Sequence, residues 1–341
     1  MKLMLIGFGV VGQGLVEILH DKKETLEAQH GFSPQVVGVA TGSRGFLYNA
    51  KGLSLSTLLD VGRGSLADYP DEEGLERDFS DASDLIQGRG ADVLVEISPT
   101  NIDTAMPATK HFQMAIATKK HIVTANKGPV AVGFSQLMQQ AKDAGVHIRY
   151  EATLMAGTPA INIGTEALAG SGIKAVRGIV NGTTNYILTQ MEAGLAYEDA
   201  LKKAQELGYA ETDPTADVEG LDAAAKVLIM MGAFFGKDAS LKELDVTGIT
   251  GISAADIAEA KEAGERYKLI AEATVTGGRV MPMRLPLSDP LAQVSSATNA
   301  LTFSTELMGD VTVIGAGAGQ KETGFALLSD LLALHRTITT R

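Results

Sequence analysis

The sequence contains no cysteine among its 341 residues, and this absence excludes several kinds of chemistry. Disulfide bonds, thiolate metal sites and cysteine nucleophiles all require a thiol group. Tryptophan is also missing, and only 5% of the residues are aromatic, whereas 38 are glycine. A glycine-rich, aromatic-poor chain with 45% hydrophobic residues is typical of an α/β protein with many turns between strands and helices.

Positive charge is scarce, since 29 lysines and arginines stand against 41 acidic residues and give a net charge of −12. Nucleic acid or an anionic membrane is therefore not expected as the main partner. No apolar run reaches the roughly 18 residues of a membrane span, and the apolar opening has no signal-peptide cleavage site. We expect a soluble, cytoplasmic protein.

A glycine motif near the amino terminus indicates a nucleotide-binding domain. A short apolar strand is predicted at residues 2–6, and Gly7-Phe8-Gly9-Val10-Val11-Gly12 follows it and opens a helix. This is the GxGxxG pattern in the setting that dinucleotides require, because the glycines allow close approach of a pyrophosphate and the helix N-terminus attracts phosphates. A tight turn without a ligand is the alternative. We predict a Rossmann domain over residues 1–150.

The end of the second predicted strand, at residues 35–40, indicates which dinucleotide is bound. NAD-binding proteins usually place an acid there for the ribose hydroxyls. This chain has Thr41-Gly42-Ser43-Arg44 instead, and the first acid after the strand is Asp60. Because an arginine suits a 2′-phosphate, the sequence favours NADP and leaves NAD as the alternative.

Two later loops are expected in the same crevice. Ser98-Pro99-Thr100 follows a buried strand at residues 91–97, and Lys127 comes shortly after another at residues 121–124. Ligands of open parallel sheets bind at the carboxyl ends of strands. We therefore expect Ser98, Pro99, Thr100 and Lys127 to approach the cofactor, with a solvated turn lysine as the alternative for Lys127.

One lysine of the carboxyl-terminal half has an unusual setting. Five acids precede it from Glu211 onward, and Lys226 is then the only charge between Asp222 and Lys237. Its helix is apolar on all sides, as in buried helices, and a lysine is almost never buried without a partner. Asp222 stands one turn earlier on the same face. The pattern predicts a paired ammonium that can donate a proton, and an ordinary surface ion pair is the alternative.

From residue 151 the pattern changes, and a second, α+β domain is predicted over residues 151–311. Hairpin-like spacing in its later part indicates an antiparallel or mixed sheet. The last segment, residues 312–341, is expected to pack back onto the first domain. It begins with a glycine-rich turn in which Gly317 is expected near the cofactor, and close helix packing is the alternative.

Together these motifs resemble the homoserine dehydrogenase family over essentially the whole chain. Beyond GxGxxG, the matching segments are Thr124-Ala125-Asn126-Lys127, residues 151–159, Asn181-Gly182-Thr183-Thr184-Asn185-Tyr186, the acidic segment through Lys226 and the final glycine-rich turn. The resemblance implies NAD(P)-dependent interconversion of L-aspartate 4-semialdehyde and L-homoserine, in threonine, methionine and isoleucine biosynthesis. It also implies a homodimer or homotetramer assembled through the second domain.

The resemblance assigns roles to individual residues. Lys226 is the expected proton donor to the aldehyde oxygen, and Lys127 is expected at the same catalytic centre. Substrate binding is expected from Glu211, Asp222, Asp217, Gly182 and Thr183. A monovalent-cation site, for an ion such as Na⁺, is expected at Glu151, Leu154, Ala156 and Thr158, mainly through main-chain oxygens.

Two rival interpretations remain. An acylating aldehyde dehydrogenase of the aspartate-semialdehyde type needs a cysteine nucleophile, which this chain does not have. A non-catalytic nucleotide sensor would use the lysines only as structural ion pairs. From the length of the chain we expect neither a C-terminal regulatory domain nor a fused aspartate kinase.

Overall fold

The computed structural model describes residues 1–339, which form two compact units. The first consists of Met1–Gly157 together with the chain from Gly319 onward, and the second is Thr158–Ala318. The first boundary lies later than residue 150 because the main-chain N–H of Glu151 donates to Asp330 on the last helix, 2.8 Å away. Among the described residues, no helix is long and apolar enough to cross a membrane.

The first unit is built on a six-stranded sheet. Its strands are β1 (Lys2–Ile6), β2 (Gln35–Ala40), β3 (Phe46–Tyr48), β4 (Val93–Glu96), β5 (His121–Thr124) and β6 (Ile148–Arg149). The order is β3-β2-β1-β4-β5-β6, and every neighbouring pair is parallel except β2 and β3. This order confirms the predicted Rossmann fold and puts its switch point at the carboxyl end of β1.

Helices connect these strands. They are α1 (Val10–Asp21), α2 (Lys23–His30), α3 (Leu55–Val61), α4 (Ala82–Gly88), α5 (Ala108–Ala117), α6 (Lys127–Ala131) and α7 (Phe134–Ala144). The sequence pattern predicts a start for α5 near Asp103, and this is wrong. Ala105 has a φ of +54°, and Pro107 disfavours helical geometry at the residue before it, so α5 begins only at Ala108.

The second unit contains a mixed sheet and its own helices. The strands are β7 (Ile173–Ile179), β8 (Asp245–Val246), β9 (Glu265–Thr274), β10 (Gly277–Pro286), β11 (Thr298–Thr305) and β12 (Gly309–Ala316). The helices are α8 (Ala160–Asn162), α9 (Gly182–Glu192), α10 (Tyr197–Glu206), α11 (Thr215–Val218), α12 (Leu221–Phe235) and α13 (Ala254–Glu262). The sheet order is β12-β11-β7-β9-β10-β8, and only β8 and β10 pair in parallel.

Helix α12 packs against β9 and β10 of this sheet. A Cβ atom on Gly278 would come within 2.3 Å of the Val227 side chain, so the glycine permits the close approach. At the far end of the helix, the rings of Phe234 and Phe303 make an edge-to-face contact at 5.4 Å. This burial explains why the helix is apolar on all sides.

The chain returns to the first unit with α14 (Gln320–Thr339), which packs on α1. A Cβ atom on Gly14 would lie 2.3 Å from the Gln320 carbonyl oxygen, and one on Gly324 would lie 2.7 Å from the Gly14 carbonyl carbon. Both glycines are therefore needed for the two helices to touch. The return begins at Gly319 rather than at residue 312, because β12 pairs with β11 in the second sheet.

Candidate active site

The glycine turn of the first unit has the geometry that a phosphate group requires. Gly7 has a φ of +108°, and a Cβ atom there would lie 2.4 Å from the Ile97 carbonyl oxygen. A Cβ atom on Gly12 would meet the Ile97 side chain at 3.0 Å. Around Gly9, which precedes α1, a Cβ atom would meet nothing within 4 Å. The helix N-terminus is therefore accessible to an anion.

Arg44 is held beside this turn by main-chain oxygens. Its guanidinium donates to the carbonyls of Gly62, at 3.1 Å, and Phe8. The same group lies 6.0 Å from the centroid of the Phe8 ring. A partly exposed cation fixed next to the glycine motif has the chemistry to bind a 2′-phosphate.

The predicted cofactor loop and Lys127 lie together in the first unit. Asn126 donates through Nδ2 to the carbonyl oxygen of Ser98 at 3.1 Å. The Lys127 N–H donates to the hydroxyl of Thr100 at 3.4 Å. Asn126 also caps α6, because its Oδ1 accepts from the Gly128 N–H at 3.0 Å. Lys127 thus stands at the first turn of α6, directly beside the loop that contains Ser98, Pro99 and Thr100.

Lys226 is buried in the second unit, with 8% of its surface exposed. Its Nζ lies 2.8 Å from Oδ2 of Asp222 and 2.5 Å from the carbonyl oxygen of Val180. This geometry confirms the predicted pairing and excludes the alternative of an ordinary surface ion pair. Two of the three N–H bonds of the ammonium are directed to these acceptors.

Asn181 joins the two acids of this cluster. Its Nδ2 donates to Oδ1 of Asp217 at 2.7 Å and to Oδ2 of Asp222 at 3.0 Å. Burial raises the pKa of Asp217, and the nearby Asp222 charge raises it further, while the Asn181 hydrogen bond acts in the opposite direction. The predicted site residues do not include Asn181. Its side chain caps α9, and an asparagine at the start of a predicted helix is a signal for an ordered side chain.

The other predicted substrate residues differ in position. The Thr183 hydroxyl donates to the Tyr209 carbonyl at 2.6 Å, which ties α9 to the acidic segment. A Cβ atom on Gly182 would lie 2.7 Å from the Ala297 carbonyl oxygen. Glu211 is exposed, and within the described part of the chain its side chain has no hydrogen bond to the Lys226 cluster. The structure thus brings Asp217, Asp222 and Lys226 together, but not Glu211.

The residues of the predicted cation site have varied surroundings. Glu151 is buried, and Ala156 has a φ of +44°. Leu154 is also buried, whereas the Thr158 hydroxyl donates to the Ala316 carbonyl at 3.0 Å in the second unit. Over residues 1–339, no group of three or more histidine, aspartate or glutamate side chains is arranged to hold a metal.

Gly317 lies in the second unit against the side chain of Asn299. A Cβ atom on this glycine would be 1.9 Å from Asn299 Nδ2. Asn299 is 1% exposed. Close packing against this side chain of β11 is therefore one reason for a glycine at this position.

The first unit is a Rossmann domain with an accessible glycine turn, and the second contains a buried lysine among carboxylates. These features define an NAD(P)-dependent oxidoreductase. Family models agree with this class. The homoserine dehydrogenase NAD binding domain matches residues 7–151, and the homoserine dehydrogenase model matches residues 159–332. The chain belongs to the homoserine dehydrogenase family.

Individual relatives match nearly the whole chain. Homoserine dehydrogenase of Methanocaldococcus jannaschii is 41% identical, over 99% of both chains. The NAD(+)-dependent homoserine dehydrogenase of Pseudomonas canavaninivorans is 40% identical, over 100% of this chain and 97% of its own. The crystal structure of a putative homoserine dehydrogenase from Archaeoglobus fulgidus has a TM-score of 0.88 at 38% identity, and covers 98% of this chain and 99% of its own.

Proposed function

We propose that this protein catalyses the reversible, NAD(P)H-dependent reduction of L-aspartate 4-semialdehyde to L-homoserine, as a step of threonine, methionine and isoleucine biosynthesis. The observation that carries the proposal is the buried Lys226 ammonium, which is paired with Asp222 and joined through Asn181 to Asp217. Relatives that are 40% identical or more over the full chain are named homoserine dehydrogenases.

Lys226 acts as the proton donor in this proposal. A nicotinamide cofactor held by the first unit would supply a hydride for the aldehyde carbon, so that negative charge would build on the aldehyde oxygen. Asp222 and the Val180 carbonyl orient two N–H bonds of Lys226, which leaves the third for the substrate. An ammonium directed at this oxygen stabilises the developing charge and then protonates it. In the opposite direction, the neutral amine accepts the hydroxyl proton.

The amino group of the substrate needs carboxylates. Asp217 and Asp222 lie together through Asn181, and we assign them to this amino group, with Gly182 and Thr183 beside them at the start of α9. Glu211 is assigned to the same group, although its exposed side chain must turn inward to reach a ligand. Lys127 is assigned to the same catalytic centre on the strength of the family motif.

NADP is the proposed cofactor, and the residues of the first unit fit it. The glycine turn from Gly7 to Gly12 binds the pyrophosphate, and Arg44 binds the 2′-phosphate. Ser98, Pro99 and Thr100 contact the nicotinamide half, and Gly317 is assigned as a further contact. NAD is the alternative, because the Pseudomonas relative is named NAD(+)-dependent. A hyperthermophilic archaeal homoserine dehydrogenase that is 27% identical is described in complex with NADPH, with a TM-score of 0.83 and 98% of both chains covered.

We also propose a cation site, an oligomeric state and a cellular location. A monovalent cation such as Na⁺ is assigned to Glu151, Leu154, Ala156 and Thr158. A homodimer, or a homotetramer built from it, is assigned to the second unit, where Met281 and Ile314 lie partly exposed on the same face of the sheet. A cytoplasmic location is proposed as well.

One assay tests the proposed reaction. The purified protein is mixed with NADPH and aspartate semialdehyde, and the loss of reduced cofactor is followed by absorbance. Oxidation of NADPH that depends on the semialdehyde, with homoserine as the product, is the expected result. Binding of NADPH without any turnover would contradict the proposal and favour the nucleotide sensor.

A further inference from the structure

Glu96 is a buried carboxylate that the proposed reaction does not use. It ends β4, and its side chain has no exposed surface. Its Oε2 lies 2.7 Å from Nδ1 of His111 on α5, a side chain that is 6% exposed. Burying a carboxylate is costly unless hydrogen bonds compensate. The partners of Glu96 therefore show what this acid holds in place.

Ser98 supplies the other partners of Glu96. Oε1 of Glu96 accepts a hydrogen bond from the Ser98 main-chain N–H at 2.9 Å and another from the Ser98 hydroxyl. The carboxylate thus holds both the backbone and the side chain of the first residue of the proposed cofactor loop. His111 holds the same carboxylate through its other oxygen, Oε2.

From Ser98 the network continues to the start of α6. Asn126 donates to the carbonyl and hydroxyl oxygens of Ser98, at 3.1 and 3.3 Å, and it caps α6. A second connection begins at the Glu96 main chain, whose carbonyl accepts from the Thr124 hydroxyl at 2.8 Å. That hydroxyl in turn accepts from the Asn126 N–H at 2.9 Å. The position of Lys127, the next residue, thus depends on Glu96 through both connections.

We propose that Glu96 and His111 are positioning residues, which hold the Ser98–Thr100 loop and the first turn of α6 in the arrangement that hydride transfer requires. This inference rests on the proposed function, because it takes this loop as a cofactor contact and Lys127 as part of the catalytic centre. His111 donates from Nδ1 to Glu96, and this bond fixes both the ring orientation and the direction of the carboxylate. Misplacement of a reacting group by about 1 Å can cost about 10²-fold in rate.

Two variants of His111 test this role. His111→Leu removes the donor, whereas His111→Asn keeps an N–H close to the position of Nδ1. Single-turnover hydride transfer at saturating NADPH and aspartate semialdehyde is expected to fall about 10- to 100-fold in His111→Leu and to recover most of the loss in His111→Asn. NADPH affinity is expected to change less than the rate, since the glycine turn and Arg44 hold the phosphates.

A matched control comes from another histidine of the same unit. His121 begins β5, at the opposite end of the strand from Thr124, and its Nδ1 accepts from the His147 N–H at 3.0 Å. His121→Leu is expected to lower the melting temperature without changing the hydride-transfer rate per folded molecule.

Three results would overturn parts of the argument in distinguishable ways. If His111→Leu melts early but reacts at the wild-type rate, the pair is only structural. If His111→Asn is as slow as His111→Leu, the hydrogen bond to Glu96 is not the cause of the effect. Both results refute the positioning role while wild-type turnover keeps the proposed function. A wild-type protein without turnover would instead refute the proposed function and this inference together.

Discussion

Nζ of Lys226 lies 2.5 Å from the main-chain oxygen of Val180, although 46 residues separate the two along the chain. This bond joins the apolar helix α12 to the end of β7. It therefore fixes the ammonium at the point where the chain enters Asn181 and α9. The position of the proposed proton donor depends on the sheet as much as on its own helix.

Lys226→Ala is expected to abolish most turnover while NADPH binding and the fold are kept. Loss of a positioned general acid typically costs about 10²- to 10⁴-fold in rate, and loss of charge stabilisation on the aldehyde oxygen adds to this cost. Single-turnover hydride transfer, measured beside thermal denaturation, checks the prediction.

Lys268 provides a matched control for that variant, because it is also a buried lysine of the second unit. Its Nζ donates to the Val294 carbonyl at 2.6 Å and to Asn185 at 3.1 Å. Lys268→Met is expected to alter stability but not the rate per folded molecule. A Lys226→Ala protein that melts early and still reacts normally would show that Lys226 is only structural.

Arg44→Ala is expected to raise the Michaelis constant for NADPH and to leave that for NADH nearly unchanged, because only NADPH carries the 2′-phosphate. Steady-state kinetics with both cofactors measure the difference. Arg77→Ala is the control, since Arg77 also binds main-chain oxygens, including that of Leu66 at 2.9 Å. Equal effects of Arg44→Ala on both cofactors would mean that the arginine does not contact the phosphate.

Asp217→Asn is expected to weaken substrate binding and to change the acid side of the pH profile. The raised pKa of Asp217 means that its carboxylate becomes protonated at a higher pH than an ordinary aspartate, so wild-type kcat/KM falls as the pH drops through that pKa. The amide variant has no such charge to lose. Profiles of kcat/KM for aspartate semialdehyde are the measurement, with the exposed Glu219→Gln as control. An unchanged acid limb in Asp217→Asn would contradict the assignment.

The stability of the second unit is expected to depend on pH through Lys268. Burial lowers the pKa of Lys268 from 10.5 to about 8. Between these values the unfolded chain binds the proton and the folded chain does not, so the free energy of unfolding rises as the pH increases from about 8 to about 10.5. Denaturant titrations of the wild type and Lys268→Met over this range isolate the effect. A stability difference between the two proteins that does not vary with pH would disprove it.

Periodicity alone predicts the features of the site that lie within one helix. The burial of Lys226 and its pairing with Asp222 follow from apolar neighbours on all sides and a spacing of one turn. The link from Asn181 to Asp217 and Asp222 depends instead on how β7, α9 and α12 meet, which no local pattern encodes. The exposed position of Glu211 likewise depends on the path of a loop.

In the fold, too, the sequence predicts the features that depend on local patterns and misses those that do not. The Rossmann order follows from the glycine motif and the alternation of strands and helices. The sequence does not predict the short strand β3, because its three residues are too few to show a period. The helical spacing of apolar residues places the start of α5 too early, because it continues across Pro107 and does not indicate the positive φ at Ala105.

The contact between α1 and α14 also has a consequence for how the protein is made. A ribosome synthesises the chain from its amino terminus, and domains generally fold as units during synthesis. Here the surface of α1 around Gly14 meets Gln320 and Gly324, which are translated only after the whole of the second unit. The second unit already has all of its residues when Ala318 emerges, whereas the first unit, although it begins earlier, is complete only after α14 has followed.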